Sequence, residues 1–418
     1  MTTRAEHRRT PDSASTEARP AASGRPHRHR WPWVLLGVVA ALVTVFYVGG
    51  GYYFSSTIHH DVFEVRPGTP ATAQTGSLTG FVPPADGVEA SVTMILDEDH
   101  ATPDKYANAT VGIKVGDTLI VAGPATASEG ATVTRPILDL VGDVPETGTP
   151  AGVNRDVWTS PDQIGLEYAE VAIDSDGVAY PAWVIPGSSA TWAILIHGKG
   201  GYPPEMLRMA TTLHERGVTC LLISYANDPA APRPAEERYG YGTIEVPQVE
   251  AAVQYAQNEG AERIVLAGVS HGAAVSLTYL ETSPQADAID AVILDSPPAD
   301  LAANIDAIGD TRSLPVVGLP IPESLESLAM LMTELRYGLD FDDYNRLAAA
   351  DQVAAPTLIY QGGMDTTVAP SVARDLAVAM GATATLVEQP EAQHVGSWNV
   401  DPEAYAAAMQ EFLTGSGL

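Results

Sequence analysis

The chain has 418 residues, of which 45% are hydrophobic, enough for one large domain and a smaller one. Its formal net charge of -30 repels a phosphate backbone, so nucleic acid is not an expected partner. The single cysteine, Cys220, excludes an intrachain disulfide, and its apolar surroundings VTCLLISY predict a buried, inert thiol.

The N-terminal sequence predicts a basic leader followed by a membrane anchor. Residues 1–30 hold seven arginines and three acidic residues, and their Pro, Ser and Thr content is typical of disorder. Residues 31–58 hold no charged residue, and their core from Trp33 to Phe54 is long enough to cross a bilayer as one transmembrane helix. Because basic residues favour the cytoplasmic side, we expect the leader inside the cell and everything after the helix outside it. A cleaved signal peptide is the alternative, although no clean A-x-A site follows.

Residues 61–158 are predicted to form a small β-rich module, called the β-module below. The segment is rich in Gly, Pro and Thr and contains short alternating apolar runs such as ASVTMIL and TLIVAG. The stretch GIKVGDTLIV predicts a hairpin that turns at Gly116 and Asp117. The β-module contains no catalytic constellation, so it is a spacer, a partner-binding surface or a cover for the next domain.

Residues 168–418 alternate short apolar runs with amphipathic helical patterns. YAEVAID and YPAWVIPG predict a hairpin, and TWAILIHG, VTCLLISY, RIVLAGVS, AVILDSP, APTLIYQG and ATLVE predict further strands. Nearly continuous apolar strands separated by helices are typical of a parallel sheet covered on both faces. The predicted fold class is therefore α/β, with the transmembrane helix and the β-module preceding it.

A serine in LAGVSHGAAV lies between a predicted strand and a predicted helix. Such a turn holds Ser270 in a strained, exposed position, and Gly268 and Gly272 avoid collisions with neighbouring backbone. The helix that follows directs its N-terminal N–H groups at the site, which favours an oxyanion. We expect the backbone N–H groups of His271 and of Lys199, in the earlier glycine-rich loop LIHGKGG, to form an oxyanion hole. The side chain of Lys199 is expected in solvent, with pairing to an acidic substrate as the alternative.

An acid and a histidine follow the serine in chain order. Asp365 lies after the strand APTLIYQG, and His394 lies after the last strand, 29 residues later. In that order, His394 would be the general base for Ser270, and Asp365 would hold its tautomer. Asp295, which also follows a strand, is an alternative acid. No cluster has the pattern of a metal site.

With these motifs, the chain resembles the α/β-hydrolase superfamily, in its branch of esterases, lipases and serine aminopeptidase-like enzymes. The resemblance covers roughly residues 168–418 and rests on HGKGG, GVSHG, GGMDTTVAP and QHVGSW in that order. It implies a catalytic triad of Ser270, His394 and Asp365, and no cofactor. The expected activity is hydrolysis of a carboxylic ester, with a small-molecule or lipid-like substrate.

The apolar segment at residues 298–350 is longer than a simple crossover requires and precedes the strand that carries Asp365. It is predicted to be a lid over Ser270, with an ordinary pair of surface helices as the alternative. Two other functions remain open, a peptidase or amidase on the same scaffold and a non-catalytic protein of the cell envelope.

Overall fold

The computed structural model describes residue 2 and residues 31–65, 75–97, 106–229, 231–233, 237–315 and 317–418. The rest of the predicted leader, residues 1–30, lies outside the described residues. The chain divides into two compact units, Met1–Gly49 and Gly50–Leu418.

The first described element is the helix α1, Trp31–Ile58, whose uncharged sequence gives a helix that is apolar all round. One turn of π-helix, His59–Phe63, continues it. Within the described part of the chain, Trp31–Phe63 is the one helical stretch long and apolar enough to cross a membrane.

Seven strands of the β-module make one antiparallel sheet, in the order β2-β1-β7-β3-β4-β6-β5. They are β1 Gly76–Val82, β2 Ser91–Leu96, β3 Val111–Val115, β4 Thr118–Ala122, β5 Ala127–Glu129, β6 Thr132–Val141 and β7 Pro150–Asn154. Because β2 also pairs with β6, six of the strands close into a ring around an apolar core of their own. The predicted hairpin is present as β3 and β4, with Gly116 at a φ of 60° in its turn.

The residues just ahead of these strands pack elsewhere. Phe63 is fully buried and contacts Tyr241 and Tyr344 in the core of the following domain. The strands themselves begin only at Gly76, although the β-module was predicted to start at residue 61.

Eight strands form the second sheet, in the order β15-β14-β13-β12-β10-β11-β9-β8. They are β8 Ala169–Ser175, β9 Val178–Ile185, β10 Thr191–Ile196, β11 Thr219–Ile223, β12 Arg263–Val269, β13 Ala291–Asp295, β14 Thr357–Gly362 and β15 Ala384–Gln389. Strands β10 to β15 run parallel, and β8 and β9 form the predicted antiparallel hairpin at one edge. Strands β10 to β14 are almost wholly buried, which is why their sequences are continuous apolar runs, whereas β15, at the other edge of the sheet, is partly exposed.

Helices cover both faces of this sheet. They are α2 Leu207–Glu215, α3 Val246–Asn258, α4 His271–Thr282, α5 Leu301–Gly309, α6 Glu323–Tyr337, α7 Pro370–Met380, α8 Ser397–Val400 and α9 Pro402–Gly415. Apolar side chains of α3, α4 and α7 build the core on one face, and those of α2 and α9 build the core on the other. The parallel sheet with helices on both faces agrees with the predicted fold class. Cys220 is buried in the second of these cores, and burial raises the pKa of its thiol.

Candidate active site

Ser270 lies on a sharp turn between β12 and α4. Its backbone has φ 50° and ψ -118°, a conformation that a non-glycine residue rarely adopts. The turn needs the two flanking glycines, because a Cβ on Gly268 would lie 2.3 Å from the carbonyl oxygen of Gly272, and a Cβ on Gly272 would lie 2.1 Å from that of Ile196. The backbone N–H of Ser270 donates to the carbonyl of Asp295, 2.8 Å away, which ties the turn to the neighbouring strand.

The structure brings the three residues Ser270, His394 and Asp365 together. The Nε2 atom of His394 lies 2.8 Å from the Oγ of Ser270, and its Nδ1 lies 2.7 Å from Oδ2 of Asp365. The serine follows β12, the aspartate follows β14 and the histidine follows β15. Since these strands are parallel, their carboxyl ends meet at one edge of the sheet.

The carboxylate of Asp365 is fixed by further hydrogen bonds. Its Oδ1 accepts the backbone N–H groups of Thr367 and Val368 at 2.8 and 2.9 Å, and Oδ2 accepts Nε2 of Gln361 at 3.2 Å. Burial alone would raise the pKa of Asp365, but the hydrogen bond and charge of His394 and the two backbone donors outweigh it, so the pKa is lowered. The group facing His394 is therefore an oriented carboxylate.

Asp295, the alternative acid, has a different environment. It is buried, and its side chain accepts hydrogen bonds from Ser296 Oγ at 3.0 Å and Tyr405 OH at 3.3 Å. Burial raises the pKa of Asp295 to about 6. The hydrogen bond from Nδ1 of His394 goes to Asp365, and so the geometry favours that residue as the orienting acid.

The glycine-rich loop after β10 is held by buried polar groups. His197 is fully buried, and its Nε2 lies 2.9 Å from a carboxylate oxygen of Asp228. Burial lowers the pKa of His197, but the charge and hydrogen bond of Asp228 outweigh it and raise the pKa. Tyr225 donates its hydroxyl to the carbonyls of His197 and Gly198, both at 2.9 Å. These contacts make His197 part of the support of the loop.

Lys199 lies between two glycines whose N–H groups are engaged. That of Gly198 donates to Oε2 of Glu205 at 2.8 Å, and that of Gly200 donates to the hydroxyl of Tyr239 at 3.0 Å. The expectation that the Lys199 side chain lies free in solvent is wrong. Its Nζ donates to the main-chain carbonyl of Val62 at 3.1 Å, because the segment after α1 crosses this loop.

The predicted role of His271 needs only its backbone N–H group, and its position in the first turn of α4 agrees with a backbone donor without an intrahelical partner. Its side chain has an environment of its own. The ring is buried, Nδ1 lies 3.2 Å from the Tyr225 hydroxyl, and Nε2 lies 3.4 Å from a carboxylate oxygen of Glu245. Burial would raise the pKa of Glu245, but the charge and hydrogen bond of His271 outweigh it and lower the pKa.

Two residues that the sequence analysis missed hold this site together. Glu205 is buried in a short 3-10 helix, Pro203–Met206, just before α2, and accepts hydrogen bonds from the N–H of Gly198 and from a guanidinium nitrogen of Arg155 at 2.9 Å. Arg155 also donates to the carbonyl oxygen of His394 at 2.8 Å. The position of Glu205, shortly after HGKGG, could have indicated that it contacts this loop. Nothing in the sequence near Arg155 indicates a contact with His394.

Ser270 opens into a cavity of about 350 Å³. Its walls include Leu301, Ile305 and Ile308 of α5, and Ala329 of α6, within the segment predicted to be a lid. The last turns of α1 complete it with aromatic and aliphatic side chains, including Phe54 and Ile58. A largely aliphatic space next to the serine can bury a hydrocarbon chain.

Among the described residues, no group of three or more His, Cys, Asp or Glu side chains is placed to hold a metal ion. The chemistry that this arrangement can perform is nucleophilic attack by an activated serine at the carboxyl edge of a parallel sheet.

The fold and this serine turn define the class as an α/β protein with a strained serine turn between a parallel strand and a helix. The sequence matches the model of the alpha/beta hydrolase family over residues 193–408, just over half of the chain. The protein therefore belongs to the alpha/beta hydrolase family, as its motifs predict. No curated protein matches the chain.

Similar solved structures include an esterase, the protein Est1E and a phospholipase. The esterase Pf2001 of Pyrococcus furiosus is 23% identical, covering 62% of this chain and 95% of that one, with a TM-score of 0.48. Est1E from Butyrivibrio proteoclasticus, with ferulic acid bound, is 22% identical, covering 59% and 98%, with a TM-score of 0.44. A bacterial membrane phospholipase A is 21% identical, covering 60% and 86%, with a TM-score of 0.43.

Proposed function

We propose that the protein is a membrane-anchored serine hydrolase that cleaves carboxylic esters outside the cytoplasm. The observation that carries the proposal is the continuous hydrogen-bonded series Ser270–His394–Asp365, with separations of 2.8 and 2.7 Å. A serine hydroxyl is a weak nucleophile until a base takes its proton, and a histidine held by a carboxylate is such a base.

In the proposed reaction, Ser270 Oγ attacks the ester carbonyl while Nε2 of His394 takes its proton. The N–H groups of Lys199 and His271 stabilise the oxyanion, a contribution that is worth roughly 10²–10³ in rate per donor. The alcohol then leaves with the proton from His394, and an acyl-serine remains. Water, deprotonated by the same histidine, releases the acid and regenerates the serine. No cofactor takes part.

The aliphatic cavity supports a lipophilic acyl group. Its lining by α5 and α6 supports the lid role of residues 298–350. Burying acyl carbons there would contribute about 0.8 kcal/mol per methylene. A closed lid also excludes water, which strengthens the oxyanion contacts.

The end of the anchor helix is joined to the lid, which supports a substrate drawn from the membrane. A Cβ on Gly51 would lie 2.9 Å from the sulfur of Met332, so the backbone of α1 approaches α6 closely. Arg336 of α6 donates to the carbonyl of Tyr52 at 3.0 Å and to the hydroxyl of Ser55 at 2.9 Å. If residues 33–54 cross the bilayer, these contacts hold the lid at the membrane surface, where the chain leaves the bilayer.

Labelling with a fluorophosphonate tests the proposal, because this probe reacts with activated serines. The full chain in detergent micelles should label and should hydrolyse a short aryl ester faster than the matching aminoacyl amide. Ser270→Ala should remove both signals. Ser276→Ala is the matched control, since Ser276 is a buried serine of α4, the helix that follows Ser270, and its hydroxyl donates to the carbonyl of Gly272. Retention of wild-type turnover by Ser270→Ala would overturn the mechanism, and faster cleavage of the amide would favour a peptidase.

A further inference from the structure

A second cavity, of about 300 Å³, lies beside His394. One side of it consists of Gln393 and His394 from the loop after β15. The other side consists of residues of the β-module, among them Tyr106, Asn108 and Arg155. The β-module therefore reaches the candidate triad, although it lies outside the region that matches the family model.

The wall that the β-module supplies is fixed to the histidine loop by hydrogen bonds. Asn108 Nδ2 donates to the carbonyl of Glu391 at 3.1 Å, and Arg155 donates to that of His394 at 2.8 Å. Asn399 binds the carbonyl of Thr110 with its side-chain amide at 2.8 Å. These contacts set the width of the cavity, so its polar groups have defined positions relative to the imidazole.

The two cavities differ in chemistry and meet at the triad. Thr366 and Thr367, which follow Asp365, line both of them. Most of the lining surface of the first cavity is apolar, although the charged side chains of Asp61, Lys199, Arg312 and Glu326 also border it, whereas the second is lined mostly by amide, hydroxyl and phenol groups. The charge of Arg155 is matched by Glu205 at 2.9 Å and by Asp156 at 3.8 Å. This wall therefore suits an uncharged polar group better than an anion or a cation.

We propose that the second cavity binds the alcohol half of the ester and that this half is an uncharged polyhydroxy group such as a glyceryl group. The inference rests on the proposed ester hydrolysis. When the bond between the acyl carbon and the alkoxy oxygen breaks, the alkoxide takes the proton from Nε2 of His394 and so must lie beside that ring. The acyl half, bound to Ser270, then occupies the aliphatic cavity.

The test compares two esters of butanoic acid, glyceryl monobutanoate and n-propyl butanoate, with the full chain in detergent micelles. The wild type should give a several-fold higher kcat/KM for the glyceryl ester. Tyr106→Phe removes only a hydroxyl, and Asn108→Ala removes an amide, so each should lower the glyceryl-to-propyl ratio by about threefold or more. Tyr168→Phe is the control and should keep the wild-type ratio, because its ring packs on Trp183 and lines neither cavity.

The ratio separates binding from stability, since a variant that merely loosens the histidine loop lowers both rates together. An unchanged ratio in both variants, or no preference in the wild type, would overturn this subsite while the aryl-ester activity persists. A third substrate, phosphoglyceryl monobutanoate, tests the charge, and a kcat/KM higher for it than for glyceryl monobutanoate would overturn the argument from charge. Absence of aryl-ester hydrolysis and of fluorophosphonate labelling would instead reject the proposed function itself.

Discussion

Replacing Asp365 by Asn tests the candidate triad most sharply, because Asp295→Asn makes the same chemical change at the alternative acid. In the wild type, Oδ1 of Asp365 accepts two backbone N–H groups and Oδ2 accepts Nδ1 of His394. An asparagine has one oxygen for these two tasks. If that oxygen faced the imidazole, its amide would oppose the N–H groups of Thr367 and Val368, at about 1–3 kcal/mol for each unsatisfied donor.

The asparagine oxygen should therefore stay on the backbone pair, and its amide should donate to Nδ1 of His394. The proton of the neutral imidazole then lies on Nε2, which can no longer accept one from Ser270. The loss from a wrong tautomer of this kind is roughly 10⁴ in kcat. That factor corresponds to about 5 kcal/mol of transition-state stabilisation.

The assay is kcat/KM on a short aryl ester, with thermal unfolding to verify the fold of each variant. We expect Asp365→Asn to lose roughly three to four orders of magnitude. Asp295→Asn should keep activity within about tenfold, because Asp295 contacts Ser296 and Tyr405 and makes no hydrogen bond to the imidazole among the described residues. The reverse ranking would assign the acid to Asp295. Small losses in both would show that no carboxylate orients the base.

Three further predictions follow from the cavity, the buried carboxyl and the anchor. Ile308→Trp should narrow the aliphatic cavity and shift the preferred acyl chain from longer to shorter esters, whereas Leu331→Trp, at an exposed position of α6, should leave the preference unchanged. If kcat/KM on esters from acetate to octanoate shows no shift for Ile308→Trp, the acyl pocket is contradicted. Burial raises the pKa of Asp295 to about 6, so the stability that its protonated form contributes below the unfolded pKa of about 3.9 is lost as pH rises through 6. Asp295→Asn should therefore raise the free energy of unfolding by up to about 3 kcal/mol at neutral pH, with a higher melting temperature, and lose this advantage near pH 4. Equal melting curves for the variant and the wild type at both pH values would refute the assignment. Protease added to intact spheroplasts should digest the hydrolase domain and spare residues 1–30, whereas protection of the domain would reverse the proposed orientation.

The sequence was sufficient for the sheet and for the order of the candidate triad because both depend on local patterns. Parallel strands are buried on both faces, so their apolar runs are visible without a structure. Ser270, Asp365 and His394 each follow such a run, and the topology alone brings strand ends to one edge. The turn at Ser270 was predictable for the same reason, since a Cβ at either flanking glycine would collide with neighbouring backbone atoms.

Contacts between distant segments left no such pattern. The hydrogen bond of Arg155 to His394 joins residues 239 apart, and that of Asn108 to Glu391 joins residues 283 apart. The contact of Lys199 with Val62 escaped prediction for the same reason, and because a lysine in a glycine-rich loop is normally solvated. No periodicity or motif encodes which surface of the β-module meets which loop.

These distant contacts bear on which segments of the chain determine substrate specificity. The region that matches the family model, residues 193–408, contains Ser270, Asp365 and His394. Walls of the two cavities, however, come from outside it, from the end of α1 in the first and from the β-module in the second. Rate depends on the groups that contact the transition state, whereas selectivity depends on the groups that line the pocket. The proposed chemistry therefore belongs to the family region. The choice of substrate should then depend also on N-terminal segments that carry no family motif.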